Sequence, residues 1–206
     1  MKSKVDKVTK MTDFPFVNLY LAEGTNKKGR EKKYYVASRA KDAEHLKMKT
    51  KDFTPDAVVI YCLYGENRDK VVLVKQYRYA IDDYTYELPA GLVDEGETIY
   101  EAAEREMKEE TGLDFSAVPL GIELEGNGFT TIGLSDESCG TVFGYAHGEV
   151  SRKYQESDEE IEVVIADREE VKRIMREEHM ALICRYQMMH FIADEEPFAF
   201  VEKNRK

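Results

Sequence analysis

Several features that define membrane, secreted or metal-thiolate proteins are missing from this sequence. No apolar run approaches the roughly 20 residues that a membrane-spanning helix needs. The basic residues 1–10 lack the apolar stretch of a secretory signal. The three cysteines, at positions 62, 139 and 184, are odd in number and far apart, which argues against a disulfide framework and a zinc site. We therefore expect a cytoplasmic protein that contacts no membrane.

An excess of positive charge is also absent. The 206 residues include 30 Lys and Arg against 41 Asp and Glu, for a formal net charge of −11. Electrostatics therefore oppose general binding to nucleic acid or acidic membranes. Hydrophobic residues make up 42% and charged residues 34%, which indicates a folded globular protein rather than a disordered one.

Strand patterns precede the first long helix pattern. Hydrophobic alternation and buried runs predict strands at 16–21, 33–38, 56–64, 71–78, 84–88, 120–125, 141–147 and 161–166. Helices are predicted at 98–111, 167–178 and 181–192. This order predicts an α+β fold rather than a parallel doubly wound sheet. We predict a small N-terminal β unit at 1–50 and a main domain at 51–206.

The chemistry of the chain is concentrated in residues 91–113. Residues three and four apart share a helix face, so Glu106, Glu109 and Glu110 converge on one side of the predicted helix. Like charges at this spacing destabilise a helix by a few tenths of a kcal/mol per pair, and a divalent cation would offset that. Arg105, four residues before Glu109, can pair with it. The alternative is an ordinary solvated, charged helix.

Residues 91–113 resemble the Nudix box, G-x5-E-x7-R-E-U-x-E-E-x-G-U, in which U is aliphatic. Every defined position is matched, by Gly91, Glu97, Arg105, Glu106, Met107, Glu109, Glu110, Gly112 and Leu113. The resemblance implies the Nudix α/β/α sandwich, in which a mixed sheet lies between helices. It also implies hydrolysis of a nucleoside-diphosphate linkage with Mg²⁺, or with Mn²⁺ as the alternative ion.

The resemblance also assigns roles within the box. Glu106 and Glu110 would be the principal metal ligands, and Glu109 an additional or water-mediated one. Arg105 would hold a glutamate in place for catalysis, and Glu97 would orient the loop or approach a metal ion. Gly91 and Gly112 would serve the turns at the two ends.

The flanking segments are similar to the ADP-ribose pyrophosphatase branch of that family. Residues 75–78 (KQYR) and 86–91 (YELPAG) match it. Arg78 and Glu87 would contact substrate, and the Ala90 carbonyl would bind metal. In that branch ADP-ribose is cleaved to AMP and ribose 5-phosphate by homodimers that exchange N-terminal strands.

Residues 130–137 depart from the branch at one position. Gly133 and Glu137 are in place, with Glu137 assigned to substrate contact, but Ile132 stands where the branch often has proline. Other nucleotide sugars, or a dinucleotide, therefore stay open as substrates. A module that binds a nucleotide without cleaving it is a further alternative.

The base that activates water lies after the box in this branch. The acidic residues 156–160 supply the candidates Glu156, Glu159 and Glu160. Glu159 or Glu160 could instead be a further metal ligand, and an ordinary acidic surface loop is the plain alternative.

Overall fold

The computed structural model describes residues 2–126, 128–155 and 160–205 of the chain. The strands are β1 (Lys4–Lys10), β2 (Asn18–Thr25), β3 (Glu31–Ser38), β4 (Ala57–Tyr64), β5 (Lys70–Arg78), β6 (Asp83–Glu87), β7 (Ala90–Leu92), β8 (Asp114–Ala117), β9 (Gly128–Phe129), β10 (Ser138–His147) and β11 (Ile161–Ala166). The helices are α1 (Lys47–Thr50), α2 (Ile99–Glu106), α3 (Ile122–Glu125), α4 (Arg168–Glu177), α5 (Leu182–Ala193) and α6 (Ala199–Asn204), with a 3₁₀ turn at Ala43–His45 and a π turn at Met107–Thr111. None of the helices in these ranges is long and apolar enough to cross a bilayer.

The chain divides into two compact units. One contains Met1–Asp56 and Asn127–Cys139, and the other contains Ala57–Gly126 and Gly140–Lys206. The first is built on an antiparallel sheet of order β1-β2-β3. Tyr20 pairs with Val36 in that sheet, and both side chains are buried with Leu46. The predicted boundary at residue 50 remains a prediction.

The larger sheet has the order β11-β5-β4-β10-β8, with β6 paired to β5, β7 to β4 and β9 to the first residues of β10. Strands β4 and β5 occupy its centre because their nearly continuous apolar runs can be buried on both faces. Alternate side chains of β4 point to opposite faces. Ile60 and Cys62 pack in the cluster that contains Ala102 and Ala103 of α2.

The other face of this sheet is also covered. Tyr61 lies between Ile60 and Cys62 in the chain and points the opposite way, where its ring meets that of Phe198 at 5.0 Å, just before α6. Helices thus lie on both faces of the sheet. The predicted α+β sandwich with a small N-terminal β unit is confirmed.

One predicted strand is wrong. Residues 120–125 read as alternating apolar and polar, but Ile122–Glu125 form a single helical turn. Glu125 is buried, and its carboxylate accepts hydrogen bonds from the backbone N–H groups of Leu120 and Gly121. These bonds close the turn locally, which strand alternation does not reveal. The strand in this region is β8, earlier in the chain.

Replacing Tyr61 with Phe should stabilise the protein. The Tyr61 side chain is 2% exposed, and its hydroxyl has no hydrogen-bond partner among the described residues. Removing an unsatisfied buried hydroxyl should raise the free energy of unfolding by about 1 kcal/mol. Urea denaturation measures this change.

Tyr20→Phe is the matched control. Tyr20 is equally buried, but its hydroxyl donates to the Ala40 carbonyl. Its loss should lower the free energy of unfolding by about 1 kcal/mol. Equal destabilisation by both substitutions would contradict the assignment of an unsatisfied hydroxyl at Tyr61.

Candidate active site

Strand β7 brings the first glycine of the motif against the helix that carries the carboxylates. Gly91 pairs with Val58 of β4, and a Cβ atom at Gly91 would lie 1.9 Å from Cδ of Glu106. The Glu106 carboxylate therefore fills the space that the glycine leaves. Beside it, Oε2 of Glu110 accepts a hydrogen bond of 3.2 Å from the backbone N–H of Ala90. Two carboxylates of the helix thus meet one three-residue strand.

Replacing Gly91 with Ala should remove activity with little general unfolding. The added methyl group cannot share its position with the Glu106 carboxylate, which must leave its place beside β7. We expect kcat to fall by about 10²-fold, the cost of a misplacement of about 1 Å in a catalytic group. Steady-state kinetics of the hydrolysis that the resemblance to the Nudix box implies measure the effect.

The control is Gly29→Ala, in the turn between β2 and β3. Gly29 has φ of +73°, and a Cβ atom there meets nothing within 4 Å. This variant should lose about 1 kcal/mol of stability from backbone strain and keep its kcat. Wild-type kcat in the Gly91→Ala variant would show that Glu106 need not occupy this position.

Arg105 connects the glutamates of the motif. Its guanidinium donates to both carboxylate oxygens of Glu97, at 3.0 and 2.9 Å. It also donates to Glu106 at 2.7 Å, to Glu109 at 3.1 Å and to the backbone carbonyl of Leu92 at 2.8 Å. A planar guanidinium with five N–H groups suits such a hub. Hydrogen bonds from Arg105 hold the pKa of Glu97 below its ordinary value.

The carboxylates differ in exposure. Glu110 is 4% exposed, and the Glu106 carboxyl is largely buried, whereas the Glu109 side chain is 41% exposed. Burial raises the pKa of Glu106, and Arg105 partly opposes the shift. The single positive charge of Arg105 therefore does not neutralise the negative charges of Glu97, Glu106, Glu109 and Glu110.

The local sequence explains how the helix presents these groups. Thr98 caps the start of α2 in a capping box with Glu101. After Glu106 the backbone widens into the π turn, which contains Glu109 and Glu110. Gly112 ends the turn in the left-handed conformation, at φ of +75°. Such π turns inside helices are frequent at functional sites.

The arrangement offers oxygen donors of the kind that hard cations prefer. Within residues 2–126, 128–155 and 160–205, no three His, Cys, Asp or Glu side chains form a complete metal-binding set. Glu106 and Glu110 nevertheless converge on β7. Mg²⁺ usually binds through one or two carboxylates together with phosphates of the substrate. The donor chemistry therefore fits a divalent ion that is completed by substrate and water.

Arg78 and Glu87 lie on the same face of the sheet as α2. In β5, Arg78 has the same orientation as Val72, which belongs to the same core cluster as Ala102 of α2. The Arg78 guanidinium makes two hydrogen bonds of 2.7 Å to the two carboxylate oxygens of Glu87. The two predicted substrate residues thus form a bidentate pair on the side of the sheet that carries the motif.

Glu160 has a different environment. Its side chain accepts a hydrogen bond from the Tyr84 hydroxyl. Tyr84 pairs with Tyr77 and alternates with Thr85, so it points away from the face that carries Arg78 and Glu87. The structure therefore separates Glu160 from the carboxylates of the motif. Glu156 and Glu159 lie outside the described residues.

Glu137 belongs to the first of the two compact units. There it accepts hydrogen bonds from the Arg39 guanidinium at 3.3 Å and from the Thr130 hydroxyl at 2.9 Å. Its assignment to substrate contact remains a prediction.

Two contacts of the segment around residues 155 and 160 were not foreseen from the sequence. The Gln155 side-chain amide donates to the Glu110 carbonyl at 2.6 Å, and Tyr84 engages Glu160. The contact of Gln155 could have been suspected from the sequence, because its amide side chain stands directly before an acidic segment. Neither contact follows from helical or strand spacing, because each joins segments far apart in the chain.

Comparison with known proteins agrees with this geometry. The NUDIX domain model matches residues 53–187. The chain is 35% identical over 129 residues to the putative nudix hydrolase 2 of Caenorhabditis elegans, which covers 60% of this chain and 56% of that protein. It is 35% identical over 88 residues to the ADP-ribose pyrophosphatase of Mycobacterium tuberculosis, covering 42% of this chain and 41% of that protein.

A shorter match and a solved structure complete the comparison. The ADP compounds hydrolase NudE of Escherichia coli is 43% identical over 45 residues, 22% of this chain and 24% of that protein. The chain thus spans just over half, or less, of the length of these three relatives. A crystal structure of an ADP compounds hydrolase superposes with a TM-score of 0.60 over 86% of this chain and 84% of that chain, at 17% identity. That likeness shows a shared fold.

Proposed function

Because this chain belongs to the NUDIX domain family, we propose that it hydrolyses the pyrophosphate linkage of ADP-ribose or a related nucleoside-diphosphate sugar. From ADP-ribose the products would be AMP and ribose 5-phosphate. The observation that carries the proposal is the hub at Arg105, which binds three glutamates of the motif beside the buried Glu110. The names of the relatives in M. tuberculosis and E. coli support the ADP-containing substrate.

A divalent ion fits the site, and we propose Mg²⁺, with Mn²⁺ as the alternative. Glu106 and Glu110 would hold it together with the backbone carbonyl of Ala90, and Glu109 would contribute directly or through water. When bound, such an ion neutralises phosphate charge and lowers the pKa of bound water. Neutralisation of the phosphates by the ion would allow this acidic protein to bind a polyanionic substrate.

The protein's own groups position and deprotonate the attacking water. Arg105 holds Glu97, Glu106 and Glu109 in one arrangement, so that their charges need not reorganise during the reaction. A water oxygen attacks one phosphorus, and the bond from that phosphorus to the bridging oxygen breaks. The proton of the water passes to a carboxylate. Since Tyr84 engages Glu160, we assign this role to Glu156 or Glu159.

The pair of Arg78 and Glu87 is proposed to orient the substrate. A guanidinium held in a bidentate ion pair has a fixed direction, which suits the orientation of a bound phosphate or ribose hydroxyl. Glu87 accepts hydrogen bonds and can also meet a ribose hydroxyl. Both side chains lie on the face of the sheet that carries the motif.

We propose a homodimer because the two units of the chain carry net charges of opposite sign. Residues 1–56 and 127–139 carry 14 Lys and Arg against 10 Asp and Glu, whereas the other unit carries 16 against 31. Opposite net charges favour contact between the first unit of one copy and the second unit of another. Light scattering of the full chain tests this proposal, and a monomer mass at micromolar concentration would contradict it.

The substrate is tested by a panel of compounds with Mg²⁺ and Mn²⁺. ADP-ribose, UDP-glucose, GDP-mannose, NADH and diadenosine polyphosphates should be compared by kcat/KM. We expect the highest value for ADP-ribose. Weak turnover of ADP-ribose beside strong turnover of another compound would overturn the narrower assignment, and metal-independent binding without turnover would favour a binding module.

A further inference from the structure

The last residue of the π turn, Thr111, carries a polar side chain that is completely buried. Its hydroxyl donates a hydrogen bond to the backbone carbonyl of Met107, four residues earlier. The same oxygen accepts a hydrogen bond of 3.1 Å from the backbone N–H of Leu113, just before β8. A hydroxyl has one hydrogen to donate and lone pairs to accept with, so one group serves both partners. Thr111 therefore connects the first residue of the turn to the chain that leaves it.

The residue that receives the hydroxyl is fixed in the core. Met107 is 0% exposed and packs in the cluster that contains Ala102 and Ala103 of α2. Its Sδ atom lies 4.0 Å from Sγ of Cys62 in β4. The backbone bonds of a π turn span five residues instead of four, so the hydroxyl adds a contact with the spacing of an ordinary helical turn. The end of the turn is thus tied to a point that core packing already holds.

The proposed metal ligands lie on the two sides of that point. Glu106 directly precedes Met107, and Glu110 directly precedes Thr111. The direction of Glu110 relative to Glu106 therefore depends on the path of the turn between them. In the observed path, Oε2 of Glu110 lies 3.2 Å from the backbone nitrogen of Ala90. A change in the turn would separate the two carboxylates while leaving both residues in the chain.

We propose that Thr111 is a positioning residue for the divalent ion, whose hydroxyl holds the π turn in the conformation that brings Glu110 and Glu106 to the same ion. The proposal rests on the proposed function, in which these two carboxylates bind Mg²⁺. Because Thr111 is completely buried, it needs no contact with the ion or the substrate. It acts through the backbone between the two ligands.

The decisive variant is Thr111→Val, which keeps the branched shape of the side chain and removes the hydroxyl. Loss of a residue that orients metal ligands typically lowers metal affinity by about 10- to 100-fold. We expect the Mg²⁺ concentration for half-maximal rate to rise by about ten-fold. The KM for substrate at saturating Mg²⁺ should stay within about two-fold of wild type, because the substrate residues are unchanged.

Two further variants separate positioning from a general loss of stability. Thr111→Ser keeps the hydroxyl and should keep the wild-type Mg²⁺ requirement. Tyr20→Phe is the matched control in the other compact unit, because it also removes a buried hydroxyl that donates to a backbone carbonyl, that of Ala40. It should lose stability without any change in the Mg²⁺ requirement. If Thr111→Val does not fold, Thr111→Ala removes the same hydroxyl and takes its place in the comparison.

A measurement that needs no turnover accompanies the kinetics. Mn²⁺ is titrated into each protein, and the free ion is followed by electron paramagnetic resonance. We expect the dissociation constant for Mn²⁺ to rise by about ten-fold in Thr111→Val and to stay at the wild-type value in Thr111→Ser and Tyr20→Phe. Wild-type affinity in Thr111→Val would overturn the proposal. An equal rise in Thr111→Ser would also overturn it, because the hydroxyl would then not be the group that matters.

The two hypotheses fail in different ways. If the wild-type protein binds Mn²⁺ but hydrolyses none of the panel, the proposed function fails, and the Mn²⁺ affinities still decide the role of Thr111. If wild type is active and Thr111→Val matches it in Mg²⁺ requirement and Mn²⁺ affinity, the proposed function stands and the positioning role of Thr111 is wrong. A wild-type protein that binds no Mn²⁺ and needs no Mg²⁺ would overturn both.

Discussion

Replacing Glu110 with Gln should reduce kcat by about 10³-fold at saturating Mg²⁺. Glu110 is buried, and its Oε2 accepts a hydrogen bond from the backbone of Ala90. A glutamine can keep that bond through its carbonyl oxygen, so the fold should survive while the negative charge is lost. Losing one metal ligand costs several kcal/mol of transition-state stabilisation, and each 1.4 kcal/mol corresponds to a factor of ten in rate.

Glu104→Gln is the control for this prediction. Glu104 lies on the same helix with an exposed side chain, and the substitution removes the same formal charge. Its kcat should stay within two-fold of wild type. Near wild-type hydrolysis by Glu110→Gln would show that Glu110 is not a metal ligand, and the mechanism proposed above would need another site.

Replacing Arg105 with Met should cost both stability and activity. The substitution leaves Glu97 and Glu106, which are largely buried, without their cation. Removing one partner of a fully buried ion pair costs about 3–5 kcal/mol in the free energy of unfolding, and the partial exposure of these side chains places the expected loss below that range. We expect kcat to fall by at least about 10²-fold, because three glutamates lose the group that orients them. Urea denaturation and steady-state kinetics measure the two effects.

The response to metal distinguishes this role from a general loss of stability. Mg²⁺ should raise the Tm of Arg105→Met by more than that of wild type, since a bound cation replaces part of the missing positive charge. The control is Arg173→Met on α4. Arg173 contacts Glu170, Glu177 and Glu178 on the surface, where such pairs contribute about 0–1 kcal/mol.

Arg173→Met should therefore keep its kcat and most of its stability. If the two arginine variants lost the same stability and activity, the hub at Arg105 would be no more than a surface network. Equal responses of both variants to Mg²⁺ would lead to the same conclusion.

The helical part of the site could be predicted because it depends on short spacings. Glu106, Glu109 and Glu110 are three and four residues apart, and the pairing of Arg105 with Glu109 uses the same spacing. The strands β4, β5 and β11 were predicted within one residue because their apolar runs are continuous or alternate clearly. The strand predicted at residues 120–125 was wrong because a helical turn closed by the Glu125 side chain shows the same alternation of apolar and polar residues as a short strand.

The sequence by itself determined the kind of site, a row of carboxylates and an arginine between two glycines, because helical geometry makes those spacings local. The tertiary structure determined which further residues lie at this site and which do not. Arg105 reaches Glu97 only through the path of the loop after β7, and Gln155 meets Glu110 only because residues 151–155 cap the helix. Glu160 lies on the opposite face of the sheet, where the Tyr84 hydroxyl donates a hydrogen bond to its carboxylate. Such contacts join segments 8 to 76 residues apart, and they depend on strand register and loop path, which no local spacing encodes.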